Sequence, residues 1–374
     1  MLDAASRNRD FPSLSRMTYL NTAAEGICPL AVREALVEYF EDKQRGSAGR
    51  PSHMAQWEAA RARTAEFYGL TPAEVGICSN SSEAFNLAAL ALRLKPGDEV
   101  VINDLDFPAG RTAWLQEGSP ATVRVWRARE GALRVEDLIP LLSPRTRLVS
   151  TSLVSFFNGF MIPLPAVIEA VRAHSPALLA LDVTQALGRV PLDLRDVDLI
   201  VSSTHKWILA PHGGGLVGVP TARAHEWTVP AGGWFNLQAP FEGQIGDPVV
   251  SKPGAESFMV GMPNFPAIYA IRAALEYLKG VGVEEIYQAA QPLVTRCLQG
   301  LSELPVELIT PQEPDALAGI MAFRHPRLPE IFERLAAQDI HVMYSAGRMR
   351  VALHGYNTPE DVEHFLNTLR FLVS

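Results

Sequence analysis

The chain has 374 residues, 48% of them hydrophobic and 20% charged, which is enough for a large core and a smaller one. A net charge of −8, with lysine and arginine spread along the sequence, offers no concentrated basic surface and argues against nucleic acid as a partner. The 3 cysteines, Cys28, Cys78 and Cys297, are far apart and fit neither a disulfide framework nor a metal-ligand spacing, so no metal is expected.

The opening residues MLDAASRNRDFPSLSR lack the basic start and apolar run of a signal peptide, and the expectation is a cytoplasmic protein. They read as an N-terminal arm over residues 1–18. From about residue 75 strand-like runs alternate with helical patterns. Val75-Gly-Ile-Cys reads as a strand and Ser82 to Arg93 as a helix. Glu99-Val-Val-Ile, Thr122 to Trp126 and Arg147 to Thr151 are further strand candidates. The uncharged stretch Leu148 to Ile168 is long enough to cross a bilayer, but Asn158, Gly159, Pro163 and Pro165 interrupt it. A buried strand, a loop and a helix start explain it better, and no membrane association is expected. Leu178 to Asp182, Leu199 to Ser202 and Gly215 to Val219 complete the series, the last with room to run antiparallel after its glycine-rich turn. Such alternation predicts an α/β fold with a mostly parallel sheet that binds ligands at the carboxyl ends of its strands. After Gly254 the pattern changes to two helices (Ala267 to Lys279, Val283 to Leu301), short strands near Ile320 and Met349, and a closing helix from Thr358. The division expected is 19–260 for a large domain and 261–374 for a small C-terminal α+β domain.

The segment Ser202-Ser-Thr-His-Lys-Trp207 ends a predicted strand and runs into Pro211-His-Gly-Gly-Gly215. A lysine there, taken alone, reads as a strand-end side chain reaching solvent. Its context changes that reading. Asp182 closes an apolar strand upstream, and Gln185 follows three residues on. Asn80-Ser-Ser-Glu-Ala-Phe-Asn86 lies at a strand-to-helix junction, where backbone amides, the Ser81 and Ser82 hydroxyls and the helix dipole suit a phosphate. Phe107 follows another strand and could stack on an aromatic ligand; a core phenylalanine is the plainer explanation.

Together these motifs resemble the class V aminotransferase and cysteine desulfurase family of pyridoxal 5′-phosphate (PLP) enzymes. The resemblance extends to Tyr19-Leu-Asn-Thr-Ala-Ala24, Phe258 to Pro263 and Arg350-Val-Ala-Leu-His-Gly-Tyr-Asn-Thr358, in the right order over roughly residues 18 to 370. It implies the PLP-dependent transferase-like fold, with a seven-stranded sheet, and a homodimer with shared active sites. It also implies that Lys206 holds the cofactor as a Schiff base and that Asp182 partners the pyridine nitrogen. Gln185 would meet the phenolic oxygen, Phe107 would stack on the ring, and Ser81, Ser82, Ser203 and His205 would hold the phosphate. Arg350 would grip the carboxylate of a small amino-acid substrate.

Departures from the family bear on the reaction. Desulfurases carry a cysteine before the closing motif, and His341 to Arg348 has none. Phe107 stands where they have a histidine. Met262 replaces a threonine that meets phosphate across the dimer, and Ser345 stands where relatives often have a second arginine. Aminotransfer is the leading expectation. The alternatives are a lyase that cleaves a C–S or C–C bond and an epimerase related to isopenicillin N epimerase, which Lys206-Trp207-Ile208 and Asn264 to Tyr269 resemble. A non-catalytic homologue is the remotest reading, because Lys206 and Asp182 are both present.

Overall fold

A computed structural model describes residues 2, 4–313 and 316–374. After the two-residue strand β1 (Thr18–Tyr19) come seven strands that build one sheet. These are β2 (Val75–Cys78), β3 (Glu99–Asn103), β4 (Thr122–Trp126), β5 (Thr146–Ser152), β6 (Leu178–Asp182), β7 (Leu199–Ser203) and β8 (Gly215–Gly218). Their spatial order is β2-β8-β7-β6-β5-β3-β4. The pairings among β3 to β7 are parallel, and β8 runs antiparallel to both of its neighbours. β6 and β7 are buried throughout, their polar ends Asp182, Ser202 and Ser203 included, as a parallel sheet covered on both faces requires. Leu179, Leu181 and Ile200 face one core; Leu178, Ala180 and Val201 face another. In register, Ser152 lies opposite Asp182 and Asp182 opposite Val201, so three strand ends open at one edge.

The helices Leu30–Gln44 and Arg50–Tyr68 were not foreseen in the sequence. They are rich in charge, and the first buries only Val32 and Ala35. Both pack against helix Phe265–Val281. That helix places Ala267, Ile268, Ala270 and Ile271 in the same core as the large sheet. The division expected at 260/261 therefore cuts through a packed layer, and we propose instead that the domains divide near Gly282 (φ 92°), where the helix ends.

Beyond it, β9 (Glu307–Leu308), β10 (Ile320–Arg324), β11 (Ile340–His341), β12 (Met343–Ser345) and β13 (Arg348–Ala352) follow. Four of them form an antiparallel sheet in the order β12-β13-β10-β9, while β11 pairs with β1. Helices Val283–Ser302 and Pro359–Val373 supply Val294, Leu298, Phe365 and Leu369 to this second core. Thr358 and Asp361 cap the closing helix reciprocally. The N-terminal segment reaches both units: Phe11 contacts the rings of Tyr277 and Tyr356, and the Arg7 guanidinium donates to the Tyr356 carbonyl. Among the described residues no helix is long and apolar enough to cross a membrane.

Candidate active site

Eight of the expected site residues line one cavity of about 180 Å³ at the carboxyl ends of the sheet: Ser81, Ser82, Phe107, Asp182, Gln185, Ser203, His205 and Lys206. Each is delivered by a strand end, the loop just after one, or the start of a helix. Asn80 caps helix Ser81–Leu92 by accepting from the Glu83 amide, which leaves the Ser81 and Ser82 positions at the helix N-terminus. The Ser203 hydroxyl, at the end of β7, donates to Ser81 Oγ over 2.8 Å and ties the two elements together.

Asp182 is buried, and its Oδ1 accepts the Thr184 amide at 2.7 Å. Burial pushes its carboxyl above the usual range, with the Thr184 hydrogen bonds and the Lys206 charge pulling the other way. Lys206 follows β7 with its amine 5.2 Å from the centre of the Phe107 ring. Desolvation brings that amine down to about 8; Asp182 opposes the shift, and Arg350 adds to it. The same forces, burial first and then the Lys206 and His212 charges, bring His205 to about 4, so its imidazole is neutral. Gln185 is more committed than its sequence context suggested. Its Oε1 accepts the Trp207 indole N–H, and its Nε2 donates to the Ala23 carbonyl, leaving one amide hydrogen free.

The segment around Ala23 lies directly on the lysine loop. The Gly26 amide donates to the His205 carbonyl, and a Cβ on Gly26 would collide with the Lys206 carbonyl oxygen, so only glycine fits there. This contact carries Glu25 to His212, 3.2 Å away, and His212 stacks on His205 with ring centres 4.1 Å apart.

Arg350 does not line the cavity itself. It sits just behind it on β13, buried, with Nη1 donating to the Phe156 carbonyl at 2.8 Å and Nε without a partner. No carboxylate among the described residues pairs with Arg350 or Arg348, and burial together with Arg348 lowers Arg350 to about 9. Sequence reasoning missed Ser152, Phe156 and Thr184 as lining residues. Thr184 sits inside Asp182-Val-Thr-Gln185 and was within reach; Phe156 carried no signal, since Phe156-Phe157 reads as core.

The comparisons agree with this fold. The family model described as Aminotransferase class-V matches residues 18–365. An uncharacterized aminotransferase, YcbU, of Bacillus subtilis (strain 168) is 27% identical and covers 96% of this chain and 95% of its own. A cysteine desulfurase of Yersinia pseudotuberculosis serotype O:1b (strain IP 31758) is 28% identical, with 96% of each chain covered. Among solved structures, the cystine C–S lyase C-DES in complex with its reaction product cysteine persulfide superposes with a TM-score of 0.87. It is 25% identical and covers 96% of this chain and 99% of its own. With the fold, the order of motifs and the family model in agreement, the chain belongs to the class V aminotransferase family of PLP-dependent enzymes.

Proposed function

We propose that this chain binds PLP in the cavity below Arg350 and cleaves a carbon–sulfur bond of a small amino acid, releasing the sulfur to solution. The donor set suits the cofactor: two serines at a helix N-terminus, Ser203 and a neutral His205 for a phosphate, and an aromatic face at Phe107. When bound, PLP withdraws electrons from the substrate α-carbon and makes its proton removable. Asp182, its carboxylate held in place by the Thr184 amide, would meet the ring nitrogen and keep it protonated. Lys206 would hold the cofactor and serve as the base for the α-proton; an amine near 8 can both accept and return it at neutral pH. Arg350 supplies a cation for the substrate carboxylate. The C–S bond then breaks with its electron pair on sulfur, which leaves as a thiol. Water converts the remaining fragment to a keto acid and ammonia.

Relatives named for sulfur amino acids favour C–S cleavage ahead of aminotransfer, and the thiol inventory separates release to solution from transfer onto an enzyme cysteine. Burial, assisted by Glu25, pushes Cys28 up to about 11, and burial pushes Cys78 and Cys297 to about 12. None is a thiolate at neutral pH, so none can accept sulfur as a desulfurase cysteine does. The reading includes a two-fold homodimer in which Gly261 and the exposed Met262 lie by the partner's cavity.

Product analysis tests it. The holoenzyme with L-cystine or an S-alkyl cysteine should yield keto acid, ammonia and sulfur product in equal amounts. Keto acid without ammonia, with the amino group moved to an added keto acid, would restore aminotransfer; loss of optical activity alone would mean epimerisation.

A further inference from the structure

We propose that Phe156 is a specificity-determining residue, an aromatic wall that selects amino acids with an apolar side chain, thioethers included, over those with a charged one. The proposal rests on the reading of this cavity as an amino-acid site and goes beyond it by assigning the substrate class.

Phe156 lies in the turn that follows β5, and its ring lines the same cavity as Asp182 and Lys206. It meets Phe107 edge to face, with ring centres 5.1 Å apart and planes at 87°. A perpendicular ring does not extend the Phe107 face; it closes the cavity at that face's side. The carbonyl of the same residue accepts from Arg350 Nη1. Arg350, the cation proposed for the substrate carboxylate, is thus hydrogen-bonded to the residue that presents the ring, so the ring belongs to the substrate's surroundings. The other lining groups are hydroxyls, amides, an imidazole, a carboxylate and an amine, with Phe107 as the one other aromatic. With Phe107 assigned to the cofactor ring, Phe156 would be the apolar surface left for a substrate side chain. A charged group against it would shed water without gaining a partner, whereas an apolar group gains by burial.

The wall is also held rigidly, as selection requires. The Arg348 guanidinium carbon lies 5.3 Å from the Phe156 ring centre and 4.2 Å from that of Phe157, and Arg348 Nε donates to the Phe157 carbonyl. Ser155 Oγ accepts the Phe157 amide and donates to the Leu105 carbonyl, joining the turn to the segment that carries Phe107. Gly159 ends the turn at φ +83°, where a Cβ would strike the Ile320 carbonyl oxygen of β10. In this arrangement Arg348 braces the wall, and Arg350 is the arginine left for the substrate.

Dissociation constants read from the cofactor absorbance of the holoenzyme test the idea without turnover, using glycine, L-norleucine and L-aspartate. The parent protein should prefer norleucine to aspartate by about tenfold or more. Phe156→Ala should weaken norleucine by about tenfold, leave glycine unchanged and largely erase the preference. Phe156→Leu, which keeps an apolar wall, should retain it. An unchanged norleucine-to-aspartate ratio in Phe156→Ala would overturn the assignment, and so would a parallel loss of all three ligands including glycine. If no amino acid alters the parent spectrum, the amino-acid site itself is wrong and the assignment falls with it. If the product analysis shows aminotransfer, the ratio is read from the initial absorbance change, before the amino group is transferred.

Discussion

Two regions meet at the cavity and treat buried charge in opposite ways. At the ends of β6 and β7, Asp182 and Lys206 form a pair of opposite sign, each shifted toward neutrality by burial and each restrained by the other. On β13, Arg348 and Arg350 are buried side by side, and among the described residues their side chains donate only to the carbonyls of Ser345, Phe156 and Phe157. An unpaired buried cation is costly, and a neighbouring like charge makes it costlier. The first region is electrically complete without a ligand. The second is completed by an anion, which is what an amino acid's carboxylate brings.

The largest effect belongs to the first region. Lys206→Ala should lower kcat by about a thousandfold or more, because it removes both the anchor and the base. Borohydride treatment of the parent protein followed by peptide mapping should place the cofactor on Lys206 and on no other lysine. Asp182→Asn keeps an acceptor for the Thr184 amide but cannot hold a ring nitrogen protonated. Turnover should fall by about a hundredfold with the cofactor still bound, a loss of the size seen when proton control is removed. Near-normal kcat in that variant would mean the chemistry does not need the paired region.

The second region should read out in KM. Arg350→Ala should raise KM for amino acids by about a hundredfold, the scale of a buried charge-assisted pair. A simple amine without the carboxylate should be indifferent to the change. Lysine should not rescue it, because one ammonium cannot reproduce the guanidinium fork. Arg348→Ala should cost less and act on side-chain preference, since Arg348 touches the Phe156 and Phe157 rings. An exchange of these two phenotypes would reassign the carboxylate to Arg348.

The two regions also differed in how far the sequence disclosed them. The paired region is local: each residue follows an apolar strand run, so strand ends could be counted and the side chains placed together. The cationic region is not local. Arg350 comes to lie behind the cavity because β13 pairs with β10 and β12, and because the turn after β5 presents its carbonyls to it. Phe156 was hidden for the same reason, lying in an apolar run whose strand, turn and helix start have similar composition. Helix Leu30–Gln44 was missed because it buries a narrow face against a helix more than two hundred residues downstream, and Arg50–Tyr68 because its buried face, spaced by three or four residues, mixes His53, Arg61 and Thr64 with apolar side chains.

The smallest predicted effect is the sharpest test of the comparison, because both regions act on one group. Burial is the main cause of the low Lys206 value of about 8, against an ordinary 10.5; Asp182 raises it and Arg350 lowers it. The neutral amine is the form that captures the cofactor. For a group titrating near 8, its fraction grows about tenfold between pH 7 and pH 9, so capture by the cofactor-free protein should accelerate by about that factor. Stability should follow with a definite sign. Between about 8 and 10.5 the unfolded chain holds a proton that the folded chain has released, so the folded state gains stability as pH rises through that window. Below about 8 the cost of the buried ammonium is felt in full, and Lys206→Met should remove both the cost and the slope. Single substitutions then separate the two regions. Arg350→Gln removes a repelling cation and should move the midpoint of the capture profile to higher pH. Asp182→Asn removes the attracting carboxylate and should move it lower. Opposite displacements would establish that the paired and unpaired regions converge on the Lys206 amine; a midpoint unmoved by both would mean that burial alone sets it.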